Sequence, residues 1–286
     1  MKARALLSLT LVCLLTVCSG CGRQGAAQEG QDKLLLAWRS YTTGDFEIAL
    51  EFFQQVAAEP EVTEDRRFSA VLGLAYTYHL RPNPDYEAAL EQYDRLAELG
   101  HPAAERLSTL GYASVARARG DTEEALASFR QILEQYPDAD EADEAALHIA
   151  EMLFSPTQDA GATGGYQLPT RQQVDRGIRV LDERLRRQPD NNLAAVMHTM
   201  LAARYVARDN HAKAIEHLRG ALQQGISSAR TRSTILWQIA RIAEKDLRDY
   251  ALAEQYYSKF VEESERHVLY YRATQSLERV RKLQSG

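Results

Sequence analysis

The sequence predicts an all-α fold: a right-handed solenoid of about six helix hairpins closed by a C-terminal capping helix. Three observations predict it. A short apolar pattern recurs six times along the chain, always with helical spacing. Turn residues and prolines fall at fixed distances from that pattern. The composition, 45% apolar and 26% charged over 286 residues, is that of an ordinary globular chain.

The recurring pattern is a bulky residue, a small residue three later, an aliphatic beside it, and a bulky apolar residue three beyond. It reads Phe46-Ala49-Leu50-Phe53, Tyr86-Ala89-Leu90-Tyr93, Thr122-Ala125-Leu126-Phe129, Val174-Gly177-Ile178-Leu181, His211-Ala214-Ile215-Leu218 and Tyr250-Ala253-Glu254-Tyr257. Offsets of three, four and seven place each set on one helix face, where the small residue lets a neighbouring helix come close. The small positions are spaced by 40, 36, 52, 37 and 39 residues. The fourth set, with Gly177, departs most from the pattern.

Turn pairs Gly44-Asp45, Gly120-Asp121 and Asp209-Asn210 precede three of these helices, and Pro137 and Pro189 follow two. First helices show Leu72-Gly73-Tyr76 and Leu201-Ala202-Tyr205. These features together resemble the tetratricopeptide repeat, a helix-turn-helix of about 34 residues. The resemblance covers residues 32–263, with N-terminal repeats over 32–154 and C-terminal repeats over 171–263. The long interval holds a Gly-, Pro- and small-polar segment, 155–170, which reads as a loop inserted in the fourth unit, either a flap or a hinge between two lobes. Residues 264–286 read as the capping helix and tail. The basic end of that helix, Arg279, Arg281 and Lys282, suits the helix dipole.

The first twenty residues read as an address. Lys2 and Arg4 precede an apolar run from Ala5 to Val17, the order of a secretory signal and too short for a comfortable membrane span. The run ends in Cys18-Ser19-Gly20-Cys21, which resembles the lipobox of bacterial lipoproteins. In that family the leader is cut before the cysteine, which carries diacylglycerol on sulfur and an acyl chain, such as palmitate, on its amine. Ser19 and Gly20 favour Cys21, although Cys18 stands where Leu is usual. The rival cut before Cys18 places Leu15 well but sets Val17 against the cleavage. No other cofactor is expected. Residues 21–31 read as the lipidated cysteine and a flexible tether. The resemblance implies anchoring in a bacterial envelope, and Gly22, where an inner-membrane retention Asp stands in enteric members, favours an outer-membrane site facing the periplasm.

Loss of Lys2 and Arg4 with the leader takes the net charge from −6 to −8. That balance argues against a broad grip on nucleic acid or anionic lipid. All three cysteines lie within the first 21 residues, so the body has no Cys nucleophile, Cys-ligated zinc or disulfide. The seven histidines are scattered, the closest in sequence being His211 and His217. His148 and Glu151 share a helix face without making a metal site, and no hydrolase, phosphate-loop or zincin motif occurs. The expected protein is not an enzyme. An accessory role or enzyme in cell-wall polymer metabolism is the alternative, and it lacks a second domain for an active site.

What remains is a binding face. The tetratricopeptide resemblance implies peptide contact at four positions of each first helix. They fall on Trp38; Arg67, Ala70, Leu74 and Thr77; Leu107, Leu110, Ser114 and Arg117; Val196, Thr199, Ala203 and Val206; and Trp237 and Arg241. This apolar strip with a few arginines suits a peptide segment or partner protein of an envelope complex, apolar anchors in the groove and Arg against carboxylates. A complete two-carboxylate clamp of the kind chaperone-tail receptors use is missing. In general plan the chain is similar to the solenoid lipoprotein of the outer-membrane β-barrel assembly complex and to the pilotin lipoproteins of type IV pili.

Overall fold

The computed structural model describes residues 32–158, 166–226 and 228–285. The leader, Cys21 and the tether lie outside the described residues. Thirteen α-helices follow one another among the described residues, six hairpins and a final helix. The first three hairpins pair α1 (Lys33–Thr43) with α2 (Phe46–Ala58), α3 (Glu64–Leu80) with α4 (Tyr86–Glu98), and α5 (Ala104–Arg119) with α6 (Thr122–Gln135). Then come α7 (Asp140–Phe154) with α8 (Arg171–Arg187), α9 (Ala194–Val206) with α10 (His211–Gln223), and α11 (Ala229–Ile242) with α12 (Tyr250–Glu263). Helix α13 (Tyr270–Ser285) is last. No helix among the described residues is long and apolar enough to cross a membrane.

The chain forms two compact units that divide inside α7, between Ala145 and Ala146. The division falls ahead of the 155–170 segment that the sequence offers as a hinge. The reason is visible in the helix's own contacts. Its first turn is bound into the first unit by Arg106, whose Nε donates to Glu141 Oε2 at 2.9 Å. Its last residue, Phe154, lies in the second unit against Gly177. The inserted segment is not wholly irregular: Thr157–Gln158 (β1) and Tyr166–Gln167 (β2) pair antiparallel, Thr157 with Gln167 and Gln158 with Tyr166.

Local chemistry sets the helix boundaries. Asp32, Thr63, Asp85, Asn210, Ser228 and Asp249 each accept a backbone N–H of the first turn that follows, satisfying donors that a helix start leaves orphaned. Thr170 and Gln173 form a reciprocal capping box at α8. Four hairpins turn through a left-handed residue: Gly44 at φ 88°, Gly120 at φ 91°, Asp209 at φ 55° and Arg248 at φ 54°. Two turns thus use glycine's freedom, and two hold a side chain in a region it rarely adopts.

The six small residues read from sequence all lie inside. Ala49, Ala89, Ala125, Ala214 and Ala253 have no exposed surface, and Gly177 is buried. The bulky residues one turn on act as plugs: Phe53, Tyr93, Phe129 and Leu181 are fully buried, Leu218 and Tyr257 nearly so. Two plugs enter notches in the next hairpin. A Cβ at Gly73 would lie 2.3 Å from the Phe53 ring, and one at Gly111 would lie 2.3 Å from Tyr93. Gly177 answers the same need from the other side, with Phe154 Cε1 at 2.5 Å from where its Cβ would stand. The weakest match in the sequence pattern is therefore a packing adaptation, not a missing unit.

One feature at the C-terminus has no counterpart in the sequence reading. Helix α11 runs on into a π-helical turn, Ala243–Leu247, which carries Glu244 into the interior at 4% exposure. Tyr257 Oη donates to Glu244 Oε2 at 2.8 Å, and Arg279 Nε of α13 donates to Oε1 at 2.8 Å. Lys245 Nζ lies 2.9 Å from the same oxygen. Burial pushes this carboxyl up, but these donors prevail and bring it to about 2. Arg281 likewise donates to Glu254 at 2.8 Å, so these basic residues clamp α13 onto earlier elements and do more than complement its dipole. Helix α13 begins at Tyr270, later than the expected 264, because 264–269 form turns, with His267 N–H bonded to the Ser264 carbonyl and Tyr270 N–H to that of His267.

Two outcomes follow from this packing. Gly111→Ala should lower stability by about 1–3 kcal/mol in urea unfolding, because the new methyl drives into the Tyr93 ring. Glu244 ionises more readily folded than unfolded, so its stabilisation is present above pH 4.5 and fades as pH falls toward 2. Glu244→Gln should remove that acid dependence and cost about 1–3 kcal/mol at neutral pH, read from thermal unfolding at several pH values.

Candidate binding face

First helices lie side by side in the first unit: α1 contacts α3, and α3 contacts α5. On α1, Trp38 is half-buried, its Nε1 donating to Ser69 Oγ of α3 at 2.9 Å. Its ring meets the Phe53 plug edge-on at 4.9 Å and Tyr41 at 5.7 Å. Tyr76 of α3 repeats this arrangement, edge-on to the Tyr93 plug at 6.5 Å. Trp38 and Tyr76 are thus equivalent positions of successive hairpins, each braced from behind by a plug and half-open in front.

A carboxylate cluster at the start of α7 bears on one of these rings, that of Tyr76. Asp140, Glu141, Asp143 and Glu144 occupy the start of the helix, where negative charge meets the positive dipole end. Glu141, 8% exposed, is neutralised by Arg106, and Asp143 is 3% exposed. Glu144 has no hydrogen bond or ion pair among the described residues. Burial, reinforced by Glu141, Asp140 and Asp143, raises its carboxyl to about 7. The Tyr76 hydroxyl is pushed well above its ordinary value, first by burial and then by Glu144. The Glu144 charge therefore reaches the Tyr76 hydroxyl, although the two residues stand far apart in sequence.

The residues expected to form a peptide groove are distributed differently. Trp38 belongs to this face. Arg67 is half-buried and committed to the Glu59 carbonyl, with Nη2 to O at 3.2 Å. Leu74 and Leu110 are core, at 2% and 5% exposure, and Ala70 and Thr77 have no exposure at all. Arg117 lies exposed on the last turn of α5, engaged with a neighbour. The error in α3 is one of register. Gly73 and Gly111 hold the same place against a plug, and on that alignment Tyr76, not Leu74, is the open position.

The remaining residues belong to the second unit. Val196, Thr199 and Ala203 lie on α9, the first two half-buried and the third exposed. The Thr199 hydroxyl is turned back onto its own helix, donating to the carbonyls of Ala195 and Val196. Trp237 packs on Tyr257 at 5.5 Å and Phe260 at 5.9 Å, and Arg272 sits over its ring at 5.9 Å. Arg241 is exposed. His148 and Glu151 bond each other, Nδ1 to Oε2 at 3.2 Å. No cluster of three or more metal-type side chains exists among the described residues. The structure adds one pair unseen in sequence: His198 and His217, from facing helices, with Nδ1 atoms 3.0 Å apart.

Comparison with known proteins agrees with the architecture. Residues 109–139, spanning α5 and α6, match the tetratricopeptide-repeat family model. No curated protein matches the chain. Among solved structures the chain is similar to the apo form of RapI, with 14% identity, 88% of this chain and 71% of that chain covered, and a TM-score of 0.55. It is also similar to TTC0263, a tetratricopeptide-repeat protein of Thermus thermophilus, at 15% identity over 86% and 98% of the two chains, TM-score 0.38. The human IFIT1 dimer matches at 17% identity over 88% and 56%, TM-score 0.44. The fold is that of a tetratricopeptide-type helical-repeat protein.

Because Glu144 binds its proton more tightly folded than unfolded, the fold loses stability as pH rises from 4.5 through 7. Glu144→Gln should remove that loss, gaining roughly 1–3 kcal/mol at pH 8 and little at pH 5, as read from urea midpoints.

Proposed function

We propose that this protein is a non-enzymatic scaffold, moored by an acylated Cys21 in the bacterial outer membrane, that holds a partner protein of an envelope complex. The fold supports this reading, since stacked hairpins present side-chain faces for capturing chains of other proteins. The observation that carries it is the buried Glu144 carboxyl, which has no hydrogen bond or ion pair among the described residues and bears on the Tyr76 hydroxyl, a costly arrangement for an isolated fold. A partner's cation would make the arrangement favourable: a Lys or Arg head meets the carboxylates while its stem lies along aromatic rings. The partner segment is therefore cationic with apolar flanks, the reverse of the carboxylate-bearing ligand that the groove arginines suggest.

A cation at Glu144 favours its ionised form, so binding expels a proton and tightens as pH rises through 7. Titration of the full chain with Lys-rich and Glu-rich peptides of equal apolar content tests the reading. Binding of the Lys-rich peptide, at least roughly tenfold weakened in Glu144→Gln, is expected; equal affinity for both peptides contradicts it. For the anchor, Cys21→Ser should move the protein from membrane pellet to soluble periplasm, and unchanged pelleting rejects acylation at that residue.

A further inference from the structure

A neutral imidazole carries one N–H and one bare nitrogen, so two rings can share a hydrogen bond only while one nitrogen stays unprotonated. His198 on α9 and His217 on α10 meet in this way, Nδ1 to Nδ1 at 3.0 Å. The surroundings fix the roles. His217 Nε2 faces Asp182 Oδ1 of α8 at 3.8 Å, and Tyr205 Oη donates to the other carboxylate oxygen at 3.3 Å. Asp182 therefore favours the proton on His217 Nε2, leaving its Nδ1 to accept from His198 Nδ1–H. The Tyr205 ring stacks on His217 at 5.3 Å and 9°, and Lys213 Nζ lies 5.1 Å from the Tyr205 centroid. Glu216 also bears on both rings, raising each.

Room for this pair is built into the backbone. A Cβ at Gly220 would lie 2.6 Å from His198 Cε1 and 2.8 Å from both ring nitrogens. The imidazole thus lies directly on α10, where any other residue would displace it.

A first proton can be absorbed. His217 then carries two N–H groups, one toward Asp182 and one toward His198, which shifts its own proton to Nε2. A second proton leaves two Nδ1–H groups facing each other with no acceptor between them, in a half-buried seam. We propose that the His198–His217 pair is a proton-operated latch on the fifth hairpin, holding α9 against α10 when neutral and releasing them when both rings are charged. Release shifts the outer face of α9, where Val196, Thr199 and Ala203 stand. The electrostatics act in the same sense. Burial lowers both histidines, aided by Lys213 at His217 and by the facing ring at His198, while Asp182 and Glu216 only partly oppose it. Stability is full above the ordinary value of 6.5 and is lost as pH falls below it.

Hydrogen exchange of the full chain, corrected for intrinsic rates, tests the latch. Between about pH 7.5 and 5.5, amides of 194–223 should lose protection roughly tenfold or more in the native chain. In the His198→Gln/His217→Gln double variant, whose amides pair without titrating, that acid response should vanish. Unchanged native protection, or the same loss in the double variant, overturns the proposal. If the double variant does not fold, nitrogen NMR of the native imidazoles decides. Coupled titrations below 6.5 support the latch, whereas two independent titrations at the ordinary value overturn it.

Discussion

The structure depends on aromatic rings seated in glycine notches. A helix hairpin cannot bury its apolar stripe alone, and stacking solves this only if neighbours approach closely. Phe53 over Gly73 and Tyr93 over Gly111 set that approach in the first unit, and Phe154 over Gly177 repeats it in the second. Each contact removes ring surface from water, at about 25 cal/mol per Å² of apolar surface. The half-buried rings of Trp38 and Tyr76 take their positions from the same plugs. Candidate face and core are therefore two sides of one contact.

Hairpin number and order were legible in sequence because the packing is local and periodic. A small residue facing a ring one turn away leaves a pattern that survives changes of spacing, as Ala49-Phe53 and Ala253-Tyr257 show at opposite ends. Even the glycine in the fourth set marks the Phe154 ring rather than a lost repeat. The turns were legible for a related reason, since Gly44 and Gly120 supply a left-handed residue just before an Asp.

The candidate site was less legible because it joins residues that no fixed spacing connects. Counting along α3 placed Leu74 on the open face, whereas the notch at Gly73 gives that place to Tyr76. Arg81 to Asp85 lengthen the turn of this hairpin, so distances carried back from Ala89 lose their phase. Glu144 reads in sequence as one acid among several at a helix start. Its lack of a partner becomes visible only when Arg106 is seen to spend its charge on Glu141. His198 and His217 lie on different helices, and the residue that could have signalled their meeting is Gly220, an apparent flaw in the middle of α10.

That glycine carries a consequence of its own. With the His198 ring resting on bare backbone, one added methyl would evict it by contact alone. Sterics would then break the imidazole pair permanently, at any pH, where the proposed second proton breaks it reversibly. The seam thus has two keys, one atomic bulk and the other ionisation, and a chain altered at that single carbon would lack the imidazole contact even in neutral solution.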